Sequence, residues 1–351
     1  MTVLRTHISS DIFDELNLAR LGSIRRSYLV GSGLAVAAAL AIAVLGIGRV
    51  AVGTAVTDLV RAQPGWLFAA AAFFAAGLLC SAAAWRAGLR ACGGTASFTQ
   101  VSARYAIGSL VNSVTPAHIG GAVRLGLLSR TLPGEERIWR ACGVGGSVAA
   151  ARTLALAGMV VAAAAIGSVP LWPAPLLALA VFVAVAVGVR ISGRAAGHLR
   201  SLLEIFRRIA RSPRAGVSIF AWVGCSFAAR LGAATAIALA LGVQRPVFVA
   251  IVLIAAMALA GMLPLTPGNF GAGAGAATLA LHGTGVGVGA SLALGVAFQA
   301  VETFAGITLG LGGAAVLAAP GTPARKWSLA TAGAGAVLVA AALGFASVDL
   351  V

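Results

Sequence analysis

Acidic residues are nearly missing from this sequence. Its 351 residues hold nine Asp and Glu against 25 Lys and Arg, and charged residues make up only 10% of the chain. Soluble domains carry roughly 25%, so the chain lacks the charge that a water-facing surface needs. So few acids also leave little from which to build a hard-metal site or a general acid–base pair. Cysteine is scarce as well: Cys80, Cys92, Cys142 and Cys225 form no C-x-x-C pair, which excludes the usual metal and redox motifs. No H-E-x-x-H, Walker A or G-x-S-x-G pattern occurs. The run Gly143-Val144-Gly145-Gly146 opens an apolar helix with no strand before it, so it is no dinucleotide loop. The expectation is a protein that is not an enzyme and holds no metal or cofactor.

Apolar residues, by contrast, make up 60% of the chain, and mean hydropathy is +1.00. They fall in blocks of about 20, the length that spans ~30 Å of hydrocarbon at ~1.5 Å per residue. The fold class is therefore an all-α polytopic membrane protein. Seven blocks read as full spans, at about 29–48, 66–88, 141–166, 176–190, 216–242, 286–315 and 328–346. The first begins near Leu29, behind a tail holding Asp11, Asp14 and Glu15. It is too long for the apolar core of a signal peptide and is expected to stay as an anchor.

Two further blocks, about 98–130 and 246–283, are interrupted by Asn-Ser-Val-Thr-Pro (112–116) and Pro-Leu-Thr-Pro-Gly (264–268). Proline removes a backbone donor and clashes with the preceding turn, so each block divides into two half-helices. Broken backbone at membrane depth is tolerated only against protein or a water-filled cavity.

The formal charge of +16 suggests nucleic acid in a soluble protein. No basic patch here is interleaved with stacking aromatics, and no nucleic-acid partner is expected. The arginines sort instead by side. If both broken blocks are re-entrant hairpins, one side receives Arg5, Arg20, Arg25, Arg26, Arg86, Arg90, Arg130, Arg137, Arg140, the run from Arg190 to Arg214, Arg325 and Lys326. The other receives only Arg49, Arg61 and Arg245. The positive-inside rule makes the basic side cytoplasmic. The expected architecture is seven spans plus two hairpins in a multi-pass cell (plasma) membrane protein, with the N-terminus inside and the C-terminus outside. Its organisation reads as a cytoplasmic tail (1–28), a main membrane domain (29–318), and a short loop with a final span (319–351). Between spans four and five, Leu199, Leu202, Leu203, Phe206 and Ile209 recur at helical spacing beside Arg200, Arg207, Arg208 and Arg211. That is either a basic amphipathic helix on an anionic leaflet or an ordinary solvated loop.

The two breaks align. Val114-Thr115-Pro116-Ala117-His118-Ile119-Gly120 matches Leu265-Thr266-Pro267-Gly268-Asn269-Phe270-Gly271 as apolar-Thr-Pro-small-His/Asn-apolar-Gly. Discontinuous helices at corresponding places in two halves point to an inverted repeat and a transporter binding site. Each second half-helix starts just after its proline, with unpaired N–H groups and a positive dipole end, an arrangement that favours an anion such as a lipid phosphate.

These motifs, with Arg124 and Ala151-Arg152, resemble the lysylphosphatidylglycerol synthase transmembrane family, which includes the flippase domain of the bacterial multiple peptide resistance factor. The resemblance runs from about residue 29 to 318. It implies a lipid-translocating or lipid-carrier-handling membrane domain with inverted repeats. Three positions depart from the family pattern: Gly121, Ala151 and Ala274 stand where relatives commonly carry acids, which leaves Arg124 and Arg152 without the usual partners. With the sequence ending at Val351, lysylation of lipid by this chain is not expected.

Ionisable groups within spans are costly unless paired or facing a cavity. Arg124 and Arg152 are candidates to hold a phosphate bidentately; the alternative for Arg124 is snorkelling to the headgroups. Arg230 and Glu302, both mid-span, form either an ion pair bracing the bundle or part of the substrate site. His118 and Asn269 serve as anion donors or helix caps. The full candidate substrate-binding set is Thr115, Pro116, His118, Gly120, Arg124, Arg152, Arg230, Thr266, Pro267, Gly268, Asn269, Gly271 and Glu302. The small-residue runs Gly271-x-x-x-Gly275 and Gly306-x-x-x-Gly310 read as close packing rather than dimerisation. The leading functional reading is a flippase-like protein moving an anionic phospholipid or polyprenyl-phosphate-linked lipid. A lipid-carrier-dependent transferase and a non-transporting membrane partner are the alternatives. Expected partners are anionic lipid headgroups, with a membrane protein or a second copy of the chain also open.

Overall fold

The computed structural model describes residues 51–115, 119–134, 136–165, 205, 208–209, 211–261 and 271–318. The N-terminal tail and the expected spans at 29–48, 176–190 and 328–346 lie outside these residues. Among the described residues there are helices and no strands: α1 (Ala51–Val60), α2 (Pro64–Ala91), α3 (Phe98–Val114), α4 (Ile119–Ser129), α5 (Arg137–Ala165), α6 (Pro213–Ala240), α7 (Pro246–Ala260), α8 (Ala272–His282) and α9 (Val288–Leu317). Helices α2, α5, α6 and α9 are long and apolar enough to cross a membrane. The sequence treated α1 as part of a connection. It is helical, and its Thr54 fits beside Gly289 of α9, where a Cβ would collide with the threonine hydroxyl.

Local chemistry explains several boundaries. Helices α2, α6 and α7 each begin with proline in the first turn, where the missing N–H has no intrahelical partner to lose. Ser97 caps α3 by accepting from Gln100 N at 3.2 Å. Thr115 ends α3 in an extended conformation (φ −116°, ψ 145°), as the residue before a proline prefers. Its Oγ1 donates back to Val111 O at 2.6 Å. Gly271 precedes α8 at φ 84°, a conformation that side chains rarely tolerate.

Two apolar clusters hold the bundle, one near each end. At the arginine-rich end, Trp85 and Leu89 of α2 pack with Val101 of α3, Leu128 of α4, Val144 of α5 and Ile219 of α6. At the other, Phe74 of α2 packs with Ile237 of α6, Leu253 of α7, Leu281 of α8 and Phe298 of α9. The start of α3 and the end of α4 thus share one cluster, and the start of α7 and the end of α8 share the other.

Glycines set the close approaches. A Cβ at Gly120 of α4 would collide with Gly108 O and Asn112 N of α3. Gly310 and Gly313 of α9 lie on α3, where a Cβ at Gly313 would fall 2.6 Å from Ala103 O. Packing between small residues is the main source of helix association in lipid. Helix α9 therefore lies closely along the first hairpin, whereas α5 touches the second hairpin only sparsely. Gly143 and Gly145 receive Ile205 and Trp85 in the same manner. Ile205 and Ile209 are buried in the core at the arginine-rich end. At these two positions the interhelical segment docks on protein, because Gly143 leaves room, rather than resting on lipid or water.

The helix lengths also pair off. Helices α2 to α5 have 28, 17, 11 and 29 residues, and α6 to α9 have 28, 15, 11 and 30. Helices α2 and α6 share the most extensive packing in the bundle.

Gly310→Val is expected to lower stability by about 1–3 kcal/mol, the usual range for overpacking a tight contact. Gly224→Ala, on an exposed site with nothing within 4 Å, is the control. Thermal unfolding of the two purified variants in detergent reads the difference.

Candidate functional site

Between the two apolar clusters lies a cavity of about 700 Å³. It draws side chains from α2, α3, α4, α5, α6, α7 and α9, among them Arg124, Arg152, Arg230 and Glu302. Among the described residues, Glu302 is the only carboxylate in its lining. The ionisable residues that the sequence scatters over some 180 positions therefore share one space.

The crossing of α2 and α6 forms its floor. Gly77 of α2 meets Ser226 of α6, and the Ser226 hydroxyl donates to Gly77 O at 2.9 Å. Ser81 Oγ lies 2.9 Å from Ser226 Oγ. Ser81 also accepts from Arg152 Nη2 at 2.7 Å, and the same nitrogen donates to the Tyr105 hydroxyl at 3.0 Å. Arg124 Cζ lies 4.0 Å above the Tyr105 ring, a cation–π geometry, and its Nη2 donates to Ser109 Oγ at 3.1 Å. Arg124 Nε is buried without a hydrogen-bond partner. One tyrosine thus carries both cations, Arg124 on its face and Arg152 at its hydroxyl. Among the described residues, the direct partners of these two guanidiniums are hydroxyls and a ring, and neither is bonded to a carboxylate. Two like charges on one phenol repel, and an anion between them relieves that repulsion.

Arg230 behaves differently. Its Nη1 donates to Glu302 Oε1 at 2.7 Å, and its guanidinium lies 5.8 Å from the Phe74 ring and 5.6 Å from the Phe298 ring. Those two rings meet edge to face at 4.9 Å. The pair both braces α6 to α9 and faces the cavity, with 35% and 37% of the side chains exposed.

The sequence candidates separate accordingly. Thr115, Arg124, Arg152, Arg230 and Glu302 line the cavity. Gly120 is buried where α4 abuts α3, and Gly271 caps α8 away from the lining. Pro116, His118, Thr266, Pro267, Gly268 and Asn269 lie outside the described residues. Near the first break the cavity meets Asn112, Ser113, Thr115 and Gly121; near the second it meets Met257, Ala258 and Gly261. The first turn of α8 stands behind Gln299, where a Cβ at Gly273 would fall 2.6 Å from Gln299 Nε2. Of the three positions without the family's acids, Gly121 faces open space in the lining, whereas Ala151 and Ala274 are buried.

Sequence reading missed the hydroxyls and amides: Ser81, Tyr105, Ser109, Asn112, Ser226 and Gln299. A signal existed. Tyr105, Ser109, Asn112 and Ser113 follow i, i+4, i+7, i+8 along α3, and Gln299, Glu302 and Thr303 follow i, i+3, i+4 along α9. Each is a polar stripe of helical period.

A double-mutant cycle over Arg230→Gln and Glu302→Gln is expected to give a coupling of about 0.2–1 kcal/mol, as found for solvent-screened pairs, because both side chains stay over one-third exposed. Thermal stability of the four proteins in detergent measures it. A coupling several times larger would mean that the cavity is dry.

The geometry is that of a membrane-protein cavity whose described lining carries three arginines and one glutamate. No curated protein matches the sequence closely enough to count as a relative. The sequence pattern of the lysylphosphatidylglycerol synthase TM region, however, matches residues 29–310. That stretch contains both hairpins and every charged residue of the cavity, and the chain belongs to this family.

Proposed function

We propose that this chain is a lipid flippase, with the central cavity receiving the headgroup of an anionic phospholipid or a polyprenyl-phosphate-linked lipid and passing it between leaflets. One observation carries the reading: Arg124 and Arg152 converge on Tyr105 in a cavity where Glu302, the one carboxylate among the described lining residues, is already paired with Arg230. Two forked guanidiniums suit the oxygens of a phosphate better than any neutral headgroup. The hydroxyls of Ser81 and Tyr105, and the turn of α4 that begins beside Gly121, supply further polar contacts around the same space. The reading includes no catalytic step, metal or cofactor.

The same proposal extends to architecture. The matching helix lengths, and a crossing in which Gly77 and Ser226, each the fourteenth residue of its helix, meet one another, support two inverted repeats about an axis near that contact. Both hairpins are then re-entrant, one from each face, and the arginine-rich end is cytoplasmic by the positive-inside rule.

Liposomes containing the purified protein should move a fluorescent phosphatidylglycerol from inner to outer leaflet faster than empty liposomes, and faster than they move the phosphatidylcholine analogue. Arg152→Gln is expected to slow this about 10- to 150-fold, the equivalent of losing hydrogen bonds to a charged group. Transport no faster than in empty liposomes defeats the reading. For the topology, single cysteines replacing Arg90 and Arg130 should react with an impermeant maleimide from the cytoplasmic side only. Those replacing Gln244 and Gly283 should react from the other side only. Labelling of Arg90→Cys and Arg130→Cys from opposite sides would make the first broken block a full crossing.

A further inference from the structure

A second cavity, of about 630 Å³, lies at the arginine-rich end. Its walls include Arg86 and Arg90 of α2, Phe98 of α3, and Ser212, Arg214 and Trp222 at the start of α6. At 100° per residue these α2 positions lie on the face opposite Phe74, Gly77 and Ser81. The pocket is therefore no mouth of the central cavity, and the flippase reading does not use it.

Its chemistry has one sign. No carboxylate is among the described residues that line it. Arg86 and Arg90 stand one turn apart on a helix, a spacing at which like charges oppose helix formation. Arg86 Nε is buried with no hydrogen-bond partner. Helix α6 begins here, with no side-chain cap, so the positive end of its dipole adds to the three guanidiniums. Beside this polar wall the surface is aromatic: Phe98 and Trp222, both in the lining, are exposed. Tryptophan at the rim of a basic pocket is the arrangement of a bilayer interface, where the ring lies at headgroup depth.

We propose that this pocket is a standing site for the phosphate of an anionic phospholipid in the leaflet at the arginine-rich end, distinct from the transport cavity. The phosphate sits among Arg86, Arg90 and Arg214 and takes the donors that the protein leaves unfilled. The acyl chains run along the exposed face of α6 past Trp222. So placed, the lipid ties the last turn of α2 to the first turn of α6.

The test uses the full chain reconstituted with lipids brominated on their acyl chains, which quench tryptophan on contact. The Trp222 signal is the difference between the unaltered protein and Trp222→Phe. Brominated phosphatidylglycerol should quench it at a lower mole fraction than brominated phosphatidylcholine. Arg90→Gln and Arg214→Gln should each raise the half-quenching fraction of phosphatidylglycerol about fivefold, the factor expected for one basic residue at an anionic surface. Arg137→Gln removes a charge at the same end but outside the pocket, and should leave the fraction unchanged. Equal quenching by the two lipids in the unaltered protein overturns the proposal without any arginine variant. An effect of Arg137→Gln as large as that of Arg90→Gln reduces it to general surface charge. Thermal protection of the detergent-solubilised protein by inorganic phosphate as strong as that by phosphatidylglycerol would make it a small-anion site instead, and protection by the lipid alone supports it.

Discussion

Where α2 crosses α6 the two helices come close, a Cβ at Gly77 just reaching van der Waals contact with Ser226 O and Ala229 at 3.5 Å, and the site depends on that approach. Gly77 lets the backbone of α6 come close enough for Ser226 to bond its carbonyl, with Ala229 and Arg230 against the same spot. In hydrocarbon the apolar surfaces of helices gain little from meeting one another, so such small-residue approaches decide which helices touch. The crossing fixes Ser81, Ser81 fixes Arg152, and Arg152 with Arg124 fixes the ring of Tyr105 between them. A bulky residue at Gly77 would disturb each of these contacts in turn.

Above and below the crossing the bundle closes differently. One end is sealed by Trp85, Leu89 and their neighbours, the other by Phe74, Phe298 and the α7–α8 pair. The unfilled volume lies between the seals because that is where the polar stripes of α3, α6 and α9 face inward. Polar groups at this depth need partners, and they find them in one another: hydroxyl on hydroxyl, guanidinium on phenol, arginine on glutamate. Among the described residues, Arg124 and Arg152 find hydroxyls and a ring rather than a carboxylate.

Much of this was legible in the sequence. Block length and proline position located α2 to α9 to within a few residues, since span length is set by the bilayer and helix breaks by the backbone donor that proline lacks. The pairing of Arg230 with Glu302 followed from scarcity: a deep acid among so many bases has an obvious partner. The neutral half of the site was not read, because Ser, Tyr, Asn and Gln are common enough in membrane helices that single occurrences mean little; only their period betrays them. The docking of Ile205 against Gly143 was also out of reach. A glycine gap shows in sequence, but not which distant side chain fills it.

The two halves of the bundle are not held alike. Gly310 and Gly313 press α9 onto the first hairpin, yet the corresponding seam between α5 and the second hairpin has few side chains across it. When a closed vessel must part, it parts where the stitching is thinnest. The glycines of α9 thereby make one wall, among the described residues, firmer than the other.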